Sequence, residues 1–288
     1  MSAKKEAKGK KANILKAPSV AWPTLALALG AFAAWVTSGA LFLTGVSPWW
    51  ASLTVSAIAA FACFTPMHDA SHQSIMRAKL PNEAIGRLCA IPLLAPFTAF
   101  RFLHLRHHRH TNDEHEDPDF WSGRGPWPIL PLRWLTQDFH YYAFYFARWS
   151  ERPAAERRET AATLTIIAAA IIALVSAGYG WEALIAWILP GRLGLGFLAY
   201  AFDYLPHKPH TIRGKDDRYK ATLVRPNPLL TPVLLYQNFH LIHHLYPGVP
   251  FYRYAVVWRT YREKLVARGA QGRDLLGREI AGEKLVEL

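Results

Sequence analysis

Thirteen histidines run through this chain, and their spacing is the feature best suited to chemistry. His68 and His72 stand in HDASH, His104, His107 and His108 in HLRHH, and His240, His243 and His244 in HLIHH, with His207 in DYLPH. On a helix, positions i, i+3 and i+4 share a face, so each triplet aims two or three imidazoles at one point. Neutral imidazole is a good ligand for iron, copper, zinc or nickel. These nine candidates outnumber the ligands of one tetrahedral zinc and suit two ions. Each ion would hold four or five protein nitrogens and keep a position for dioxygen or water. Two irons in such an all-nitrogen cage can activate O2 for attack on a C–H bond.

Other metal chemistries fit less well. HDASH lacks the glutamate of the zinc-protease helix. The glutamate pairs of carboxylate-bridged di-iron bundles are not found. The apolar stretches contain no histidine, which argues against a membrane haem and against a metal transporter. Cys63 and Cys89 are too few for an iron–sulfur cluster, and in apolar surroundings they read as buried free thiols.

Several residues can support the cage. Asp69, Asp113, Asp117 and Asp119 can accept the second N–H of a ligating imidazole. Asp203 lies one helical turn before His207; a carboxylate there can orient His207 or hold a metal-bound water, and it can equally be a polar residue at the membrane interface. His110, His115, His140 and His210 read as residues around the cage or at the surface.

Elements that bring such distant boxes to one level must cross a membrane. Apolar residues make up 51% of the chain and charged ones 19%, with 11 Trp, 12 Tyr and 15 Phe, a bilayer composition with aromatic belts. Four apolar stretches, near 20–43, 49–66, 161–177 and 181–205, each approach the length of one crossing. The short connectors within each pair lack Lys and Arg. The segments outside the pairs are rich in them, which places both termini, the 67–159 segment and every histidine box in the cytoplasm. Arg192, after Pro190-Gly191, suggests that 181–190 is a bend and that the last span starts near Gly191. Leu88 to Leu103, broken by Pro92 and Pro96, reads as a re-entrant or interfacial hairpin. The aromatic, basic segment from Trp121 to Trp149 suits helices lying on the membrane surface.

The expected fold is therefore an all-α integral membrane protein. It has about four transmembrane helices, a hairpin, and a cytoplasmic helical cap around a di-metal histidine cage. Residues 1–18 read as a basic cytoplasmic tail, 19–260 as the membrane domain and 261–288 as a C-terminal cytoplasmic helix or tail. The formal charge of +12 belongs to this topology, and nucleic-acid binding is excluded because no aromatic-interleaved basic stripe exists.

The three boxes together resemble those of the membrane fatty-acid desaturase and hydroxylase superfamily, over about residues 65 to 255. RFLHLRHHRHTNDEHEDPDFW, FDYLPHKPH and LLYQNFHLIHHLYPGVPFYRY are most similar to the desaturase-like type of β-carotene ring hydroxylase. Carotenoid ketolases share the Leu-Pro-His segment but differ around the last box. The resemblance implies two iron ions, O2 as co-substrate and hydroxylation of β-carotene at ring carbon 3, by way of β-cryptoxanthin to zeaxanthin. An acyl-lipid desaturase or hydroxylase, or a ketolase, with the same cage is the alternative. It also implies that Asp203 replaces an asparagine that reaches iron through water, a departure that leaves Asp203 a candidate catalytic residue. The substrate must be lipid-soluble. Electrons must come from an external donor such as an acidic ferredoxin, because no haem, flavin or cluster motif is present. A bacterial inner membrane is the expected location.

Overall fold

The computed structural model describes residues 14–288, so most of the expected basic tail lies outside the described residues. Among the described residues, four helices are long and apolar enough to cross a membrane: α1 Trp22–Leu43, α2 Trp49–Ser71, a later helix Ala154–Ser176 and a last one, Gly180–Tyr204. Between the pairs run α3 Lys79–Ala90, α4 Phe97–His110, α5 Leu130–Leu135 and α6 Gln137–Phe146. The Ala154–Ser176 helix is then α7 and the Gly180–Tyr204 helix α8. A cap follows, made of strand β1 Leu223–Val224, α9 His240–Leu245, α10 Tyr254–Val266, strand β2 Gln271–Gly272 and α11 Gly282–Glu287. The strands β1 and β2 pair in parallel.

Burial divides the four long helices by role. About half of the apolar window of α2 and 44% of that of α8 is buried, against 17% for α1 and 6% for α7. Leu29, Val36 and Leu41 on α1, and Ile166, Ile172 and Val175 on α7, stand exposed, as lipid-facing side chains do. The interior pair approaches closely because small residues meet there. A Cβ on Gly194 of α8 would already touch Ala60 and the backbone of Phe61 on α2. Gly86 of α3 is tighter still: a Cβ there would fall 2.4 Å from the Phe97 ring. Between α1 and α2, the Ser56 hydroxyl lies 3.1 Å from that of Ser38, satisfying polar groups in an apolar layer.

The structure corrects two expectations. The second span does not end at Pro66; α2 continues to Ser71 and carries His68 in its last turn. Residues 181–190 do not form a bend, because α8 is continuous from Gly180 to Tyr204, with wider turns at Leu184–Ile188 and Ala199–Tyr204. Pro190 cannot donate to the carbonyl of Ala186, four residues earlier. That oxygen instead accepts the indole N–H of Trp35 on α1, at 2.9 Å. The charge of Arg192 is also met: it pairs with Asp138 of α6, donates to the Leu135 carbonyl at 2.9 Å and lies over the Phe139 ring.

The segment broken by Pro92 and Pro96 forms two helical arms, Lys79–Leu93 and Phe97–His110, bent by 98°. Leu94 takes the left-handed conformation at the elbow, with a φ of 53°. The second arm is α4, which points its histidines toward the end of the bundle where α2 and α8 also finish.

Candidate metal centre

Two turns of helix geometry explain how the boxes divide. Successive residues are rotated by about 100°, so i and i+4 differ by about 40°, while i+3 lies about 60° to the other side. Each triplet is split accordingly. His104 and His108 of α4 join His68 of α2 and His72, which follows its last residue, and His243 of α9 completes this group. His240 and His244 of α9 join His207, and His107 of α4 completes the second. All nine histidines singled out by spacing therefore fall into a group of five and a group of four, each group's ligand atoms within 4.8 Å of one another. The two groups touch because each triplet lends its i+3 residue to the other.

The nitrogen separations are informative. In the first group, Nε2 of His68 is 3.0 Å from that of His243, His72 is 2.7 Å from His104, and His108 is 2.6 Å from His243. In the second, Nε2 of His107 is 3.1 Å from that of His244, and His240 is 3.0 Å from both His207 and His244. An ion holding imidazole nitrogens at about 2.1 Å at right angles sets adjacent nitrogens about 3.0 Å apart. Uncoordinated rings have no reason to turn the same atom inward at that spacing from four chain segments. The donor set thus fits two metal ions.

The chain turns α9 toward the centre by the pattern of HLIHHL. Leu241, Ile242 and Leu245 are buried against Trp258, Leu265 and Leu285 of the cap, which leaves the three histidines on the opposite face. Burial also holds His207 and the three imidazoles of α9 neutral. For His207, His240, His243 and His244 desolvation is the largest influence and lowers the pKa well below the ordinary value, so their lone pairs stay free for a metal at neutral pH.

The outward Nδ1 atoms have different supports. With Nε2 turned to the metal position, Nδ1 carries the proton and donates. His107 donates to Asp117 at 2.8 Å, with an Asp119 oxygen at 3.3 Å. His243 lies 3.1 Å from the Tyr254 hydroxyl, and His244 is 3.4 Å from that of Thr111. Asp117 is itself fixed, accepting the backbone N–H groups of Asn112 and Asp119. Burial pushes the Asp119 carboxyl up to about 6.

Other expected supports behave differently. Asp69 stands 3.6 Å from Nδ1 of His68, beyond hydrogen-bond reach, and its other oxygen ties Thr24 to the backbone of Phe251. Asp113 accepts backbone N–H groups of His115 and Glu116 and orients no imidazole. Asp203 does not orient His207, whose Nδ1 has no hydrogen-bond partner among the described residues. Instead the Tyr141 hydroxyl bridges Asp203, at 3.2 Å, and Asp119, at 2.7 Å. His110, His115, His140 and His210 belong to neither metal group; His140 stacks on Trp121. Tyr254, Thr111 and Tyr141 were not singled out by sequence. Nothing in their spacing marks them, since each reaches the site through a contact distant in the chain.

An apolar cavity reaches His104. Phe64, Met67, Leu103 and Phe202 line it, and Tyr141 and Asp203 provide polar atoms in its wall.

Comparison with known proteins agrees with this architecture. A family model for fatty acid desaturase matches residues 45–272. The sn-1 oleoyl-lipid 12-desaturase of Picosynechococcus sp. is 27% identical, covering 86% of this chain and 79% of that protein. The chloroplastic omega-6 fatty acid desaturase of Brassica napus is 26% identical over 84% of this chain and 60% of its own. The beta-carotene ketolase of Paracoccus sp. is 31% identical over 66% of this chain and 71% of its own.

Proposed function

The chain belongs to the fatty acid desaturase family, and from that premise we propose that it is an O2-dependent di-iron oxygenase acting on a membrane-dissolved substrate. His68, His72, His104, His108 and His243 hold one iron, and His107, His207, His240 and His244 the other. The observation that carries this reading is the pair of inward-facing imidazole groups, the first of which meets an apolar cavity at His104. Iron, when bound there, supplies the activation of dioxygen for attack on a C–H bond.

The protein's own residues supply placement and dryness. Asp117, Tyr254 and Thr111 fix the rings of His107, His243 and His244. Phe64, Phe100 and Phe202 pack edge to face beside the first group and keep water from it. Tyr141 holds Asp203 in the wall of the cavity that reaches His104, where a carboxylate can keep a water near the metal positions.

The substrate in this reading is β-carotene, hydroxylated at ring carbon 3 to give β-cryptoxanthin and zeaxanthin. The segments FDYLPHKPH and YQNFHLIHHLYPG favour a carotenoid ring, as does the similarity to a carotenoid ketolase. Acyl-lipid desaturation is the second reading, favoured by the cyanobacterial relative that this chain matches over most of its length. Electrons come from a small acidic ferredoxin that docks on the basic face of the metal end, with that end in the cytoplasm of a bacterial inner membrane. The test is expression in cells that make β-carotene. Zeaxanthin and β-cryptoxanthin are expected. Keto-carotenoids would assign the ketolase reaction, and unchanged pigments beside a new double bond in the acyl chains would assign the desaturase.

A further inference from the structure

A second cavity, of about 190 Å³, lies on the cap side of His207 and is lined also by Asn112, Lys208, Thr222 and Arg273. Three of these side chains leave a buried polar atom without a partner among the described residues: Nδ1 of His207, Oδ1 of Asn112 and Oγ1 of Thr222. Their residues are 3%, 4% and 2% exposed, so bulk solvent does not reach them broadly. The Asn112 amide nitrogen is committed, donating to the carbonyls of Ile212 at 2.8 Å and Ala221 at 2.7 Å, which leaves its oxygen as an acceptor. His207 turns Nε2 toward His240, so Nδ1 on the far edge of the ring is left as a donor. A hydroxyl can serve either way.

The residues that carry this donor, this acceptor and this hydroxyl all line one cavity, and about 10–15 Å³ is enough to hold an ordered water. The cations of the cavity wall are turned to other partners. The Lys208 ammonium lies over the Tyr204 ring, Lys220 pairs with Asp217, and Arg273 donates to the Gly277 carbonyl. Glu279 adds a negative charge. The site is built for water and not for an anion.

We propose that this cavity is a hydrated chamber whose ordered water accepts the Nδ1–H of His207 and is held by Asn112 and Thr222. Water thereby gives His207 the support that carboxylates give His107 and a tyrosine gives His243. Thr222 and Asn112 are positioning residues, acting on the metal through His207 and this water. The centre then has two separate approaches, an apolar one beside His104 and a wet one behind His207. This inference rests on the reading of His207 as an iron ligand.

The test uses the full-length protein purified in detergent. Cys63 and Cys89 are buried in the apolar core, so a thiol introduced by Thr222→Cys can be followed alone. A small neutral methanethiosulfonate should modify it while leaving the parent protein unlabelled; resistance to the reagent would overturn the chamber. Thr222→Val keeps the shape and removes the hydroxyl. It should weaken retention of one of the two irons by about 10–100-fold in a chelator competition, while Thr222→Ser retains iron like the parent. Equal retention by Thr222→Val would overturn the role toward His207. Absence of iron from the parent protein would instead refute the metal reading and with it that role, and the labelling arm would still report on hydration.

Discussion

Tyr254→Phe isolates the orientation of a single imidazole. His243 sits at the crossing of the two triplets, with its Nε2 3.0 Å from that of His68 and 2.6 Å from that of His108. Its Nδ1 has the Tyr254 hydroxyl at 3.1 Å, and that tyrosine is fully buried. Removing the hydroxyl leaves the ring packing intact and strands a buried N–H, at a cost of about 1–3 kcal/mol. At about 1.4 kcal/mol per factor of ten, that is roughly a 5–140-fold loss, which brackets the 10–100-fold found when a partner of a metal-ligating histidine is removed. The assay is iron retention against a graded chelator, followed by turnover of the iron-loaded protein. Thermal unfolding of the metal-free variant reports the packing cost separately and should fall only modestly. Unchanged iron retention and turnover, with a lower unfolding temperature alone, would refute the reasoning: the hydroxyl would then stabilise the cap without holding the ligand.

Further outcomes follow from the same geometry. His243→Ala should abolish turnover and release the iron of the first group; near-normal turnover would remove it from the ligand set. Asp203→Ala should lower turnover about tenfold or more, whereas Asp203→Asn, which can still hold a water, should retain much of it; equal activity of all three proteins would make Asp203 a bystander. The metal-free protein should lose thermal stability as pH falls below about 6.5. There the unfolded chain protonates histidines whose ordinary value is 6.5, while burial holds His207, His240, His243 and His244 well below it, so the unfolded state binds more protons. A flat unfolding temperature between pH 7 and 5 would contradict this. Raising salt should slow ferredoxin-driven turnover, because the attraction between a basic face and an acidic donor is screened; salt-independent turnover would count against such docking.

The nine histidines were legible in the sequence because helix periodicity is local: i, i+3 and i+4 fix a face whatever the tertiary structure does. The split of HLRHH and HLIHH between two groups was not, since it depends on how α4 and α9 face each other across 137 residues, as His107 and His244 do. The apolar spans were visible in composition, but their ends were not. Pro66 looked like a stop, yet one missing N–H does not end a helix packed on both sides. Arg192 looked like a break because its partner, Asp138, lies 54 residues away in a different element. Tyr254 and Thr111 carried no signal, since a hydroxyl supporting an imidazole leaves no periodic trace. Asp117 was among the readable supports, because a carboxylate shortly after a histidine box can fold back onto it.

Metal quantification of the protein purified from membranes, without added metal, tests the central claim most directly. The account expects close to two irons per chain, with both lost together in a variant lacking His107 and His243. A preparation that held zinc, or no metal at all, and still carried out its reaction would contradict it.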